Sequence, residues 1–238
     1  RPNGPPLPDL LALEIDRTPP HAGGMSRSAR VRLVVAVFGI AAAAHWYVRI
    51  FTPWQRAWGA TPEEVLGSLE GDEFVGTSKG QTTRAITVDA PPECVWPWLV
   101  QMGYRRGGLY SWDFLDRLFR ILDAPSSKRV LPEFQQLAAG DEVPVGVGPA
   151  FPVLRVDPGR VLVLGSADPD FKVSWQTVLR PLPGGRTRLI TRNRVQPPPG
   201  LGNRIGAIVI DVLAFVMVTR WLRVLKERGE GLASGKYY

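Results

Sequence analysis

The chain has 238 residues, which suits one sizeable domain with an appendage, because domains usually run about 100 to 200 residues. Its hydrophobic content of 45% is that of a folded protein and excludes disorder of the whole chain. The net charge of +7 suits an anionic membrane, and no zinc-finger or RNP-type motif accompanies it, so no nucleic-acid partner is predicted. The single cysteine, Cys94, excludes an internal disulfide and is predicted to pack as a small apolar residue.

The N-terminal part of the chain changes character at Met25. Residues 1–24 are rich in proline and carry no periodic pattern, so we interpret them as a disordered leader or a non-native segment. Residues 25–53 are predicted to be a membrane anchor, because 33–48 are apolar apart from His45 and are flanked by arginines and tryptophans. About 20 apolar residues cross a bilayer, so the segment spans one if Arg49 snorkels and the helix extends to Phe51.

Two alternatives to the anchor stay open. The alanines at 41–44 offer a cleavage site, so residues 25–44 fit a signal peptide, and the segment also fits an amphipathic or buried helix. For an anchor, the arginines that precede the segment slightly outnumber those that follow it, which favours a cytoplasmic N-terminus. That orientation would put the folded domain on the extracytoplasmic side.

The next part of the chain predicts a short helix, a strand and two further helices. Residues 54–81 are interpreted as a linker with a short helix, which Thr61 caps and Gly71 ends. Alternation predicts a strand over 83–89, and a proline pair then opens a helix that runs to about Met102. Residues 112–122 have apolar side chains at a spacing of three and four, which predicts an amphipathic helix packed on the core. These side chains are Phe114, Leu115, Leu118, Phe119 and Leu122.

After Gly140 the pattern changes to that of an antiparallel meander. Strands are predicted over residues 153–156, 161–164, 171–182 and 187–195, with turn sequences at 157–159, 168–170 and 183–185. Residues 205–228 are predicted to form one long helix, with a second transmembrane span as the alternative, and 229–238 form a C-terminal tail.

Several segments of the chain resemble one superfamily. The most specific is QMGYRRGGLYSWDFL at 101–115, and the others lie at 57–75, 83–99, 130–135 and 187–194. Together they make residues 54–228 similar to the membrane-associated branch of the SRPBCC superfamily, whose domains are START-like and polyketide-cyclase-like. The resemblance implies an α+β helix-grip fold over 82–228, in which an antiparallel sheet wraps a long C-terminal helix. It also implies a cavity for a hydrophobic ligand.

The residues that could carry catalysis are few. The only two histidines precede Trp54, which excludes Ser-His-Asp catalysis and histidine metal sites from the domain, so no cofactor or metal is predicted. Asp113, Asp116 and Glu133 could act as acids or bases, but capping and surface pairing are the simpler interpretation. The turn at 105–108 could bind an anion through Arg106, with Tyr110 close by, or could be purely structural.

Strand alternation selects the predicted ligand-binding residues. One face of the strand at 171–182 carries Phe171 and Trp175, and the matching face of the last strand carries Thr191 and Asn193. The opposite face of the last strand carries a row of arginines and is predicted to be basic and solvated. A filled core is the alternative to a cavity. The full predicted set is Trp175, Thr177, Thr191, Asn193, Val212, Phe215, Leu222, Arg106 and Tyr110.

The function predicted from these features is binding of a hydrophobic or amphiphilic small molecule, lipid-like or polycyclic, by a membrane-tethered domain. The predicted partners are that molecule and the membrane, and no catalytic residue is assigned. One alternative is a polyketide cyclase- or aromatase-like enzyme that folds a hydrophobic substrate by the shape of its cavity. Another is a structural or regulatory membrane protein without catalysis.

Overall fold

The structure is a computed structural model that describes residues 26–76, 78, 80–148, 150–167, 172–196 and 201–237, but not the side chains of 201–205, 207 and 208. The chain divides into two compact units, Arg1–Tyr47 and Val48–Tyr238. The predicted leader, the turn at 168–170 and Phe171 lie outside the described residues.

The apolar segment near the N-terminus is helical. Helix α1 covers Arg27–Trp46, and the Ser26 hydroxyl caps it by accepting a hydrogen bond from the Ala29 amide at 3.2 Å. The helix continues through a π-helical turn, Tyr47–Phe51, into helix α2, Thr52–Arg56. The continuous helix is long and apolar enough to cross a membrane. A signal sequence has the same properties, and so does the core helix of a soluble protein.

The second unit is built on one antiparallel sheet of six strands in the order β1-β6-β5-β4-β3-β2. The strands are β1 Gly80–Val88, β2 Glu142–Val143, β3 Phe151–Asp157, β4 Val161–Ala167, β5 Lys172–Leu182 and β6 Arg186–Val195. The remaining helices are α3 Pro62–Leu66, α4 Pro92–Val100, α5 Asp113–Leu118 and α6 Leu201–Ala233. The three-residue turn at 183–185 between β5 and β6 places Gly184 and Gly185 at φ 79° and 68°, a left-handed conformation that glycine adopts without strain.

Helices α4 and α6 pack on one face of the sheet, which we call the inner face. The core between them combines strand residues such as Leu179 and Leu189 with Trp98 of α4 and Leu222 of α6, all buried. Beyond α6, Tyr237 packs on Trp98 with ring centroids 5.8 Å apart, so residues of the predicted tail also contact the core. Pairing of the first strand with the last, followed by a meander against a long C-terminal helix, confirms the predicted α+β helix-grip fold.

The outer face of the sheet is not solvated, contrary to the prediction. Residues 59–76 cover it, and Leu69 packs against the buried Val178 and Ile190. Arg192 is only 1% exposed. Its buried charge is paired with Asp72 of the covering segment, with Nη1 and Oδ2 2.6 Å apart. Two other arginines of the row also have carboxylate partners, since Arg188 pairs with Glu64 at 2.7 Å and Arg194 pairs with Asp72 at 3.1 Å, whereas Arg186 at the start of β6 is exposed as predicted. The covering segment supplies the carboxylates that allow this basic row to be buried.

The prediction of a core-packed helix over residues 112–122 is also wrong. Helix α5 ends at Leu118, because Arg120 adopts a left-handed conformation (φ 57°) and the Ile121 amide donates back to the Asp116 carbonyl at 2.8 Å. The helical spacing therefore stops before Leu122, which reaches the core through irregular backbone. Three of the predicted core residues are exposed instead: Phe114 by 66%, Leu118 by 72% and Phe119 by 46%.

Candidate ligand-binding site

Polar side chains form a strip across the inner face of the sheet. In one row Thr191 pairs directly with Thr177 of β5 and Arg84 of β1, and in the next row Asn193 pairs with Trp175 and Thr82. Directly opposed residues of antiparallel strands point to the same face, so all of them lie on the side of α6. The strip consists of Thr82, Arg84, Trp175, Thr177, Thr191 and Asn193.

Hydrogen bonds hold part of this strip within the core. The Trp175 indole donates to Thr191 Oγ1 at 3.0 Å, and that hydroxyl donates to the Gln176 carbonyl at 3.0 Å. The Trp175 ring also contacts Trp221 of α6, with centroids 5.3 Å apart. Thr177 and Thr191 are buried, whereas Asn193 is half-buried. Four predicted ligand-binding residues therefore lie side by side, and at least Trp175 and Thr191 make internal hydrogen bonds.

The sequence analysis missed two members of the strip, Thr82 and Arg84, of which Arg84 is the more deeply buried. It is 1% exposed, and it donates from Nε to the Gln55 carbonyl at 2.9 Å and from Nη2 to Gln55 Oε1 at 3.0 Å. Burial lowers the pKa of Arg84 to about 10, and attraction to Asp211 opposes that shift in part. Its guanidinium lies 5.5 Å from the centre of the Phe215 ring of α6. The alternation of β1 could have placed Arg84 on the inner face, because it lies two residues from Ile86.

Beside α6 lies an open groove with a volume of about 370 Å³. Four of its eight lining residues are aromatic and two are arginines. Within it, the Phe215 ring lies 5.3 Å from the Trp54 ring. Arg220 stacks over Trp112 at 5.0 Å, and Arg223 stacks over Trp58 at 5.3 Å. The lining consists of Trp54, Trp58, Trp112, Phe215, Val216, Thr219, Arg220 and Arg223.

The groove lining combines apolar aromatic rings with guanidinium donors. Its lining contains no carboxylate, imidazole or thiol, so no general acid or base is present among these residues. The Thr219 hydroxyl donates to the Phe215 carbonyl of its own helix at 2.6 Å. The aromatic rings can pack against a chain or a ring system, and the guanidinium groups can donate hydrogen bonds to an oxygen acceptor.

The remaining predicted site residues are dispersed. Of the three on α6, Phe215 lines the groove, Leu222 is buried in the core and Val212 is half-buried. Arg106 donates to the Val100 carbonyl at 2.8 Å and to the Met102 carbonyl at 3.2 Å, so it caps the end of α4. These two hydrogen bonds support the interpretation that the turn at 105–108 has a structural role.

Tyr110 belongs to a buried hydrogen-bond cluster centred on Gln101. The Gln101 amide donates to the Tyr110 hydroxyl at 2.6 Å and to the Arg129 carbonyl at 3.1 Å, while its oxygen accepts from the Leu131 amide at 2.8 Å. Burial raises the pKa of Tyr110 to about 12. A side chain at Gly107 would come within about 2.5 Å of the Tyr110 hydroxyl. The most specific segment of the sequence therefore ties loops to α4.

The candidate carboxylates lie outside the groove. Asp116 is buried and accepts a hydrogen bond from the Ser111 hydroxyl at 2.5 Å, and burial raises the pKa of Asp116. Asp113 accepts from the Ser126 hydroxyl at 3.0 Å, which ties α5 to a loop. Glu133 lies in a short 3-10 turn, Pro132–Phe134. The described residues contain no group of three or more His, Cys, Asp or Glu that could hold a metal.

Comparisons with known proteins yield similarity of structure only. No family model and no curated protein matches the chain. The chain is similar to a crystal structure of the Zhui aromatase/cyclase from Streptomyces sp. R1128, with 15% sequence identity and a TM-score of 0.39. The match covers 67% of this chain and 99% of that chain. A solution structure of the self-sacrificing resistance protein CalC from Micromonospora echinospora is 14% identical with a TM-score of 0.38, covering 68% of this chain and 98% of that one.

Identities and TM-scores as low as these assign neither a ligand nor a reaction to this chain. The fold itself follows from the sheet order and from the helix that packs on the inner face. The chain thus has the helix-grip fold that the sequence resemblance implies.

Proposed function

We propose that this chain is a membrane-tethered protein that binds a hydrophobic or amphiphilic small molecule in the groove beside α6. The observation that carries this proposal is the aromatic lining contributed by Trp54, Trp58, Trp112 and Phe215. The groove volume of about 370 Å³ lies within the range of roughly 300 to 1,000 Å³ found for small-molecule sites. Aromatic walls with a few polar groups are typical of sites that bury an apolar ligand.

Binding is supported better than catalysis by the groove as described. A cyclase- or aromatase-like enzyme needs to orient a reactive substrate and usually needs an acid or base within hydrogen-bond reach of it. The lining offers two arginines and one threonine whose hydroxyl is already bonded to its own helix. Catalysis would therefore have to rest on the shape of the site alone.

The membrane part of the proposal rests on the apolar helix Arg27–Arg56. Trp54 belongs to the last turn of that helix and also lines the groove, and tryptophans favour the interface of a bilayer. The arginine balance around the helix favours a domain on the extracytoplasmic side. An anchored chain stays in membranes after an alkaline carbonate wash with its N-terminus intact, whereas a mature N-terminus near His45 would show a cleaved signal peptide instead.

Filling the groove tests the binding proposal. We expect the full chain, purified in a neutral detergent, to retain an apolar small molecule that native mass spectrometry detects. Val216→Trp should abolish retention, because the larger side chain occupies the groove. Val147→Trp, the same substitution at an exposed valine outside the lining, should not. Equal retention by both variants, or no retention by the wild type in any detergent and after addition of fatty acids, would contradict the proposal.

A further inference from the structure

Two arginines in the groove differ from the arginines on the outer face of the sheet. Those on the outer face, such as Arg188 and Arg192, are paired with carboxylates. Arg220 and Arg223 have no ion pair with any carboxylate in the part of the chain that the structure describes. They lie three residues apart on α6, so they occupy neighbouring positions on one face of the helix. The groove therefore carries two positive charges that the described residues do not neutralise.

Both guanidinium groups lie against aromatic rings. The Arg220 guanidinium carbon lies 5.0 Å from the centre of the Trp112 ring and that of Arg223 lies 5.3 Å from the centre of the Trp58 ring, so an aromatic ring contacts each cation without supplying it an acceptor in the ring plane. Nε of Arg220 is buried, and no described residue offers it an acceptor. A buried donor without an acceptor is unfavourable, so a shift of the Arg220 side chain towards an acceptor on a ligand would be favoured.

The same groove offers an apolar surface next to these donors. Trp54 and Trp112 are 53% and 40% exposed, which is high for such large apolar side chains. Phe215 of α6 contacts Trp54, with ring centroids 5.3 Å apart, and Val216 adds to the apolar lining. A ligand that matches both parts of the groove has an apolar chain or ring and an anionic end.

We infer that the groove binds an amphiphile with an anionic head group, a carboxylate or a phosphate, held by Arg220 and Arg223 while its apolar part packs on Trp54, Trp112 and Phe215. This inference rests on the proposed function, because it names the ligand class of the same groove. Guanidinium groups bind both carboxylates and phosphates through paired hydrogen bonds, so the chemistry common to both head groups is what the groove recognises.

Three amphiphiles with the same chain length test the inference: decanoate, decyl phosphate and decanol. Their dissociation constants are measured by native mass spectrometry on the full chain in a neutral detergent. The two anionic compounds should bind at least about tenfold more tightly than decanol, because charged hydrogen bonds are stronger than neutral ones. Arg220→Gln combined with Arg223→Gln should remove this preference, so that the two anionic compounds bind no more tightly than decanol, and a thermal melt followed by circular dichroism that matches the wild type shows that the variant is folded.

The matched control is Arg117→Gln combined with Arg120→Gln, two exposed arginines outside the lining, which should keep the preference. Inorganic phosphate alone should not displace decyl phosphate, and displacement would overturn the assignment to an amphiphile. Equal binding of all three compounds, or a preference that survives in the Arg220/Arg223 variant, would overturn the inference and leave the proposed function standing. Failure to bind any of the three would count against the proposed function itself.

Discussion

Arg192 and Asp72 form an ion pair across the covered outer face of the sheet, with Nη1 and Oδ2 2.6 Å apart. The same carboxylate also accepts from the Leu69 amide at 2.9 Å and pairs with Arg194 at 3.1 Å. One aspartate thus fastens the covering segment to β6. Because Arg192 is almost fully buried, its charge depends on this partner.

Asp72→Ala should therefore destabilise the protein strongly. Removing one partner of a buried pair leaves an uncompensated charge, and we expect a loss of about 3 kcal/mol in the free energy of unfolding. Denaturant titration followed by tryptophan fluorescence measures this loss. Glu70→Ala is the matched control, because Glu70 pairs with Arg160, whose side chain is 64% exposed, and should cost less than about 1 kcal/mol. Similar losses for the two variants would show that the Asp72 pair is no stronger than a surface pair.

The exposed side of α5 gives a second prediction. Leu118→Ser should change the free energy of unfolding by less than about 0.5 kcal/mol, because Leu118 is 72% exposed. Leu122→Ala should cost about 2 to 5 kcal/mol, because Leu122 is buried. The same denaturant titration measures both variants. A large loss for Leu118→Ser would mean that α5 packs on the core as the helical spacing first suggested.

Much of the fold could be predicted from local sequence patterns. Alternation and glycine turns predict four strands of the meander close to their observed bounds, and the same alternation places Trp175 and Thr191 on the inner face. These features depend on neighbours in the sequence, which is why periodicity reveals them.

The covered outer face and the groove could not be predicted in the same way. A row of arginines on a strand looks solvated until the segment with Glu64 and Asp72 folds over it. The groove combines Trp54, Trp112 and Arg220, which are far apart in the sequence and are brought together only by tertiary packing. The end of α5 depended on the left-handed conformation of Arg120, a residue type that seldom adopts it.

Tyr110 gives a prediction about pH. Burial raises the pKa of Tyr110 from 10.0 to about 12 in the folded protein, so between these pH values the unfolded chain releases the proton while the folded chain keeps it. The free energy of unfolding should therefore fall as the pH rises from 10 to 12. Tyr110→Phe should lose less stability over this interval than the wild type, although it is less stable at pH 8 by about 1 kcal/mol for the lost hydrogen bond. Parallel pH profiles for the two proteins would contradict the raised pKa.

Photolabelling tests most directly whether the groove is the ligand site. The full chain in a neutral detergent is irradiated with a decanoate that carries a diazirine near the end of its chain, and labelled peptides are identified by mass spectrometry. The groove predicts labels on peptides that contain Trp112 or Phe215 and Val216, and excess unlabelled decanoate should suppress them. Labels confined to β5 and β6, around Trp175 and Asn193, would place the ligand on the inner face of the sheet and contradict the assignment to the groove.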